Sequence, residues 1–129
     1  MSKKEAVRTE RAPAPYQGAP YSQAIRTADL VFVSGQLGVV PETAEFAGET
    51  IEAQTERVLE NLKAILEAAG SSLDRIVKTT VYLTDLDLFQ GMNAVYRRYM
   101  GDLPPARATI EVSGLPAGAL VEIDAIALA

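Results

Sequence analysis

Three stretches of this chain carry apolar residues on both faces of a strand, while only two stretches can form helices to cover them. In the last stretch, LVEIDAIALA at 120–129, alternation puts Val121, Ile123, Ala125 and Ala127 on one side. The other side mixes Leu120, Ile126 and Leu128 with the carboxylates Glu122 and Asp124. LVFVSGQL at 30–37 and the β-branched run IVKTTVYL at 76–83 are likewise apolar on both sides. A sheet built from such strands needs a layer on each face, so a second cover must come from outside the chain.

The helices are legible from their period. Over 50–69, Ile51, Val58, Leu62, Ile65, Leu66 and Ala69 share one face and Glu52, Glu56, Glu60, Lys63 and Glu67 the other, with Gly70 where a C-terminal cap belongs. A second helix is predicted from about Asp87 to Met100, with Leu88, Phe89, Met92, Val95, Tyr96 and Tyr99 at helical spacing and Asn93 beside that stripe. Upstream, QAIRT, a turn at Ala28 and Asp29, and LVFVSGQL form a predicted hairpin. Gly35 and Gly38 mark a bulge or a close backbone approach. ARATIEVS at 106–113 puts Arg107, Thr109 and Glu111 on one face. The order of hairpin, helix, strand, helix and two strands predicts an α+β fold, a mixed sheet with two helices on one face, over 1–129 as one unit.

Composition narrows the chemistry. Among the 129 residues there is no cysteine and no histidine. That removes disulfides, thiol nucleophiles, thiolate and imidazole metal sites, and an imidazole base, and we expect neither metal nor cofactor. With a net charge of −5 and scattered basic residues, nucleic-acid binding is disfavoured. The one basic cluster, Lys3, Lys4, Arg8 and Arg11, reads as a solvated face, and Ala12 to Pro20 as an irregular lead-in. No eighteen-residue apolar run exists for a membrane span, and the charged start MSKKEAVRTERAPAP lacks the apolar core of a secretory signal, so a cytoplasmic location is expected.

Arg107 follows a rigid Pro-Pro pair in PPARATIEV and presents a planar fork matched to a carboxylate. Spacing alone favours the plainer role of a salt bridge to Glu111, Glu122 or Asp124. Glu122 and Asp124, two apart on one strand face, could orient water or take a proton, or could simply be paired or exposed. Asn93 and Tyr21 offer an amide and a phenol, with an exposed helix position and a core aromatic as the ordinary readings. Ser34 and Gly35 match no phosphate loop and default to hairpin structure.

Together, APYSQA, VFVSGQLG, EAAGSSLDRIVKTTVYLTDL, MNAVY, PPARATIEV and VEIDAIAL resemble the RidA (YjgF) family of reactive-intermediate deaminases, from about Tyr21 to Ala127. The resemblance implies a chorismate-mutase-like fold, a homotrimer with pockets between subunits, and hydrolysis of 2-imino acids and their enamines, as a 2-iminobutanoate/2-iminopropanoate deaminase. It implies that Arg107 binds the substrate carboxylate, Glu122 serves the chemistry, and Tyr21, Asn93, Ser34, Gly35 and Thr109 line the pocket. The sequence departs from the pattern at Thr109, where many members carry cysteine, and at Ala108, where serine is common. A non-catalytic keto-acid binder and an endoribonuclease or translation inhibitor are the alternatives.

Overall fold

The computed structural model describes residues 3–129; Met1 and Ser2, the start of the segment read above as lacking a signal, lie outside the described residues. In chain order the elements are β1 (Glu5–Val7), β2 (Ala24–Arg26), β3 (Leu30–Leu37), β4 (Val39–Val40), β5 (Glu45–Phe46), α1 (Ile51–Ala68), β6 (Ile76–Leu83), α2 (Phe89–Met100), β7 (Ala106–Glu111) and β8 (Val121–Leu128). Six strands form one mixed sheet in the order β1-β2-β3-β8-β6-β7, and β4 and β5 pair separately. Only β6 and β7 run parallel, because α2 carries the chain back between them. Both helices pack on the same face, as expected for this α+β arrangement.

Each long element forms where its local signals put it. Thr50 caps α1 by accepting a hydrogen bond from the Ala53 amide at 3.1 Å. At the other end Gly70 adopts φ +81°, its amide donates to Glu67 O, and Ser71 N donates to Leu66 O, which closes a Schellman motif. Leu59, Leu62, Ile65 and Leu66 of α1 pack on Val81 and Leu83 of β6 and on Val121 and Ile123 of β8, with Met92 and Val95 of α2 completing the core. α2 begins after a 3-10 turn at Leu86–Leu88, so the α-helical geometry starts two residues later than the pattern suggested.

Two buried amides on α1 fix the neighbouring loops. Asn61 donates to Leu37 O at 3.1 Å and Val39 O at 3.0 Å and accepts from Arg57 Nε at 3.0 Å. Gln54 accepts from Leu120 N at 2.9 Å and donates to Gly48 O at 3.0 Å. These bonds hold the end of β3 and the start of β8 against the helix. Gly38 sits where a Cβ would fall 2.7 Å from the Gln54 carbonyl oxygen, so its glycine serves the close approach of strand and helix.

The basic cluster at the N-terminus is solvated as expected, with Lys3, Lys4, Arg8 and Arg11 all exposed. Glu5–Val7 is an edge strand paired with β2, Val7 is buried, and Arg11 pairs with Glu67 at 2.8 Å, so this segment is tied to the fold. The strand itself was not foreseen, because three residues are too few to show a period. The β4–β5 pair also escaped the sequence reading, because two-residue strands leave no period. Among the described residues, no helix is long and apolar enough to cross a membrane.

Two substitutions test this packing in urea denaturation. Gly38→Ala should lower stability by about 1–3 kcal/mol through overpacking against the α1 backbone. Thr55, fully buried with an unpartnered hydroxyl, should gain about 1 kcal/mol as Thr55→Val. An unchanged midpoint would show for Gly38 that the site relaxes freely, and for Thr55 that its buried hydroxyl carries no penalty.

Candidate functional site

The singled-out residues divide between the two faces of the sheet. Arg107 is the register partner of Thr79, which is fully buried with its hydroxyl 2.7 Å from the Tyr96 phenol, and Thr109 is the partner of the core residue Val81. Arg107 and Thr109 therefore lie on the helix side of β7, the outermost strand. The Arg107 guanidinium stands 4.8 Å from the centroid of the Tyr96 ring and 5.5 Å from that of Phe89, with one nitrogen 4.0 Å from Met92 Sδ. The rings attract the cation without neutralising it. Asn93 is half-buried and lies four residues after Phe89 and three before Tyr96, on the same stripe of α2.

No salt bridge engages Arg107 among the described residues. The pairing that spacing favoured is overturned by the sheet's geometry: Glu122 and Asp124 face the opposite side, and Glu111 accepts from the Leu86 amide at 2.9 Å. Phe89, Met92 and Tyr96 were read only as a core stripe. Their role beside Arg107 depends on the parallel β6–β7 pairing, which the sequence does not display.

Glu122 occupies the open face, opposite Leu37 of β3 and Tyr82 of β6. The β3–β8 register shifts between Val33 and Gln36, the bulge expected around Gly35. A Cβ on Gly35 would overlap the Glu122 carboxylate, so the glycine makes room for that group. Burial, and secondarily the Asp124 charge, raises the Glu122 carboxyl above its ordinary value. The Tyr82 phenol donates to Asp124 at 3.1 Å and is raised too, first by burial and then by that bond. It therefore remains a donor where Glu122 holds or yields a proton.

Tyr21, Ser34 and Gly35 gather on this side. Ser34 Oγ donates to Ser22 O at 2.6 Å and Ser34 N to Gln23 O at 2.9 Å, so the serine fastens the chain next to Tyr21. The Tyr21 phenol accepts from Tyr16 N at 2.7 Å and the residue is 41% exposed, which rules out the core-aromatic reading. Buried Gln23 donates to the carbonyls of Thr9, Ala12 and Pro13 and so positions the irregular segment. A cleft of about 420 Å³ opens there, lined by Tyr16, Tyr21, Gly35, Leu37 and Phe46 among others. Its lining includes Gln17, Ala44 and Ala117, non-glycine residues held at φ 52°, 59° and 57°. Left-handed backbone costs such residues roughly 1–2 kcal/mol each, a strain that recurs around functional sites.

Within this chain, then, Tyr21, Ser34, Gly35 and Glu122 come together, Asn93, Arg107 and Thr109 come together, and the sheet lies between the groups. The family model described as Endoribonuclease L-PSP matches residues 9–129. The chain belongs to this family, the RidA/YjgF proteins. It is 52% identical over 124 residues to a RutC family protein of Pyrococcus abyssi, covering 96% of each. It is 49% identical over 125 residues to Reactive Intermediate Deaminase A, chloroplastic, of Arabidopsis thaliana, covering 97% of this chain and 66% of that protein.

Solved structures agree. RidA from an Antarctic Psychrobacter matches at TM-score 0.92 and 45% identity, over 97% of this chain and 99% of that one. E. coli TdcF with bound serine matches at TM-score 0.91 and 38% identity, over 97% and 98% of the two chains. The chorismate-mutase-like fold of the RidA/YjgF proteins is the fold of this chain.

Because the folded state favours the protonated form of Glu122, the native chain keeps that proton after the unfolded chain has released it. Stability should fall as pH rises through the unfolded value near 4.5 and on through the raised folded one. Glu122→Gln should therefore show a higher urea midpoint than the parent protein at pH 7, with the gap closing below about pH 4.5. A gap independent of pH would contradict the raised proton affinity.

Proposed function

We propose that this protein is an imine deaminase that hydrolyses 2-imino acids, and the enamines that tautomerise to them, to 2-keto acids and ammonia. The 2-iminopropanoate and 2-iminobutanoate types are its simplest substrates. Arg107 carries the reading: a guanidinium at a strand edge, half-buried between two aromatic rings, with no acidic partner among the described residues. Such a cation is matched to a small carboxylate. The relative named Reactive Intermediate Deaminase A supports the reaction class, and the serine bound to TdcF supports a small amino-acid-like ligand.

In this reading Arg107 holds the carboxylate with both arms of its fork, while Asn93 and Thr109 orient the ligand beside it. Glu122 accepts a proton from water as the oxygen bonds to the imine carbon and delivers it to the nitrogen, turning C=N into C–N. A second transfer from the new hydroxyl to nitrogen accompanies cleavage of the C–N bond, whose electron pair leaves with ammonia as the C=O forms. Tyr21, Ser34 and Gly35 bound the space in which this occurs. An imine is electrophilic already, so orientation and one acid-base group suffice for an acceleration of about a hundredfold or more. No metal, cofactor or histidine is needed.

The opposed faces support a reading in which a second copy completes the site. A homotrimer whose pockets lie between subunits would bring Arg107, Asn93 and Thr109 of one protomer to Glu122, Gly35, Ser34 and Tyr21 of another, and would cover the open sheet face. A cytoplasmic location suits a protein that intercepts such intermediates. A keto-acid carrier could use the same arginine and is separated by whether ammonia release accelerates. The endoribonuclease reading carried by the family description sits poorly with a net charge of −5.

Arg107→Ala should lose at least about a hundredfold in kcat/KM for 2-iminobutanoate, generated in situ and followed by keto-acid appearance, with its oligomeric state unchanged. Turnover like the parent protein's in that variant would refute the role.

A further inference from the structure

The 420 Å³ cleft is larger than the smallest substrates need. A group the size of a water fills about 30 Å³, so the two carbons of a 2-iminobutanoate side chain fill only about 60 Å³. A cavity of about 150 Å³ already accepts a benzene ring. The composition of the walls points the same way. Tyr16, Leu37, Val39, Pro41 and Phe46 line the cleft, and the residue type that binds a charged group, lysine or arginine, is absent from its lining.

The cleft also adjoins the site of the proposed chemistry. Gly35 lines it and touches the Glu122 carboxylate, and Leu37 is the direct cross-strand partner of Glu122. The cleft therefore lies next to the acid-base group, with Gly35 and Leu37 shared between them and a largely apolar wall beyond. A ligand with its reacting carbon at Glu122 would direct its substituent into that space.

We infer that this cleft is a side-chain subsite for 2-imino and 2-oxo acids bearing large apolar substituents, branched or aromatic, with Phe46 and Leu37 as its specificity-determining residues. The inference rests on the deaminase site proposed above and adds the class of side chain that site prefers. Burial of the larger substituent removes apolar surface from water at the aromatic wall, and this gain is not available to a methyl or ethyl group.

The test is calorimetric titration of the assembled protein with pyruvate and with 2-oxo-4-phenylbutanoate. The expected result is at least tenfold tighter binding of the phenyl compound, with the ratio moving towards one in Phe46→Ala. Phe46→Leu and Leu37→Ala serve should the first variant fold poorly. Equal affinities, or no binding of either compound, overturn the subsite. Ammonia release from the corresponding imines distinguishes the two readings. Accelerated release from 2-iminobutanoate with equal oxo-acid affinities sinks the subsite and leaves the deaminase standing. Selective binding without accelerated release upholds the subsite and sinks the deaminase.

Discussion

A six-stranded sheet with a helical layer on one face alone sets most of what this protein can do. The covered face takes the large aliphatic groups of α1, α2, β6 and β8 and excludes water from them. The open face keeps Phe32 and Leu128 substantially exposed beside Glu122, Asp124 and Tyr82. That mixture is poorly suited to solvent and poorly suited to a sealed core. It suits a boundary where apolar groups are covered by another surface while a few polar groups keep a confined space.

The same asymmetry makes chemistry accessible to a chain without histidine or cysteine. A carboxylate on a fully solvated face would have an ordinary proton affinity, and one in the helical core would need a partner. Glu122 stands between these limits, raised by burial and by Asp124, with Gly35 leaving its oxygens space. Arg107 shows the complementary solution. Its charge survives partial burial because guanidinium is weakly hydrated and the rings of Phe89 and Tyr96 receive it, so it keeps its fork free for an anion.

Where the chain repeats a period, its structure could be read in advance. The eighteen-residue helix α1, the eight-residue strands β3 and β6, and the C-terminal glycine at position 70 each rest on signals contained within one element. Val7 and Phe46 could not be placed this way, since strands of two or three residues owe their existence to a neighbour. The site was legible as a set of residue types and illegible as an arrangement. Arg107 and Glu122 look like a natural ion pair until the parallel β6–β7 register assigns one to each face. The bulge at Gly35 was signalled by the glycine itself, but its purpose, admitting the Glu122 carboxylate, belongs to the β3–β8 pairing.

The irregular segment from Ala12 to Pro20 shows why sequence and site separate most strongly at a binding cleft. Nothing in its composition specifies a path, and Gln23 supplies one by donating to three of the carbonyls in and just before it. With that strap held, Ser34 and the Tyr16–Tyr21 contact bring two aromatic side chains to the end of β3, and the left-handed residues Gln17, Ala44 and Ala117 bend the surrounding loops inward. The turns that carry this strain are closed by backbone bonds, from Gly18 N to Pro15 O, Ala44 N to Val40 O and Gly118 N to Leu115 O. A looser scaffold would relax them, and the cleft beside Glu122 would lose its shape before the fold lost its stability.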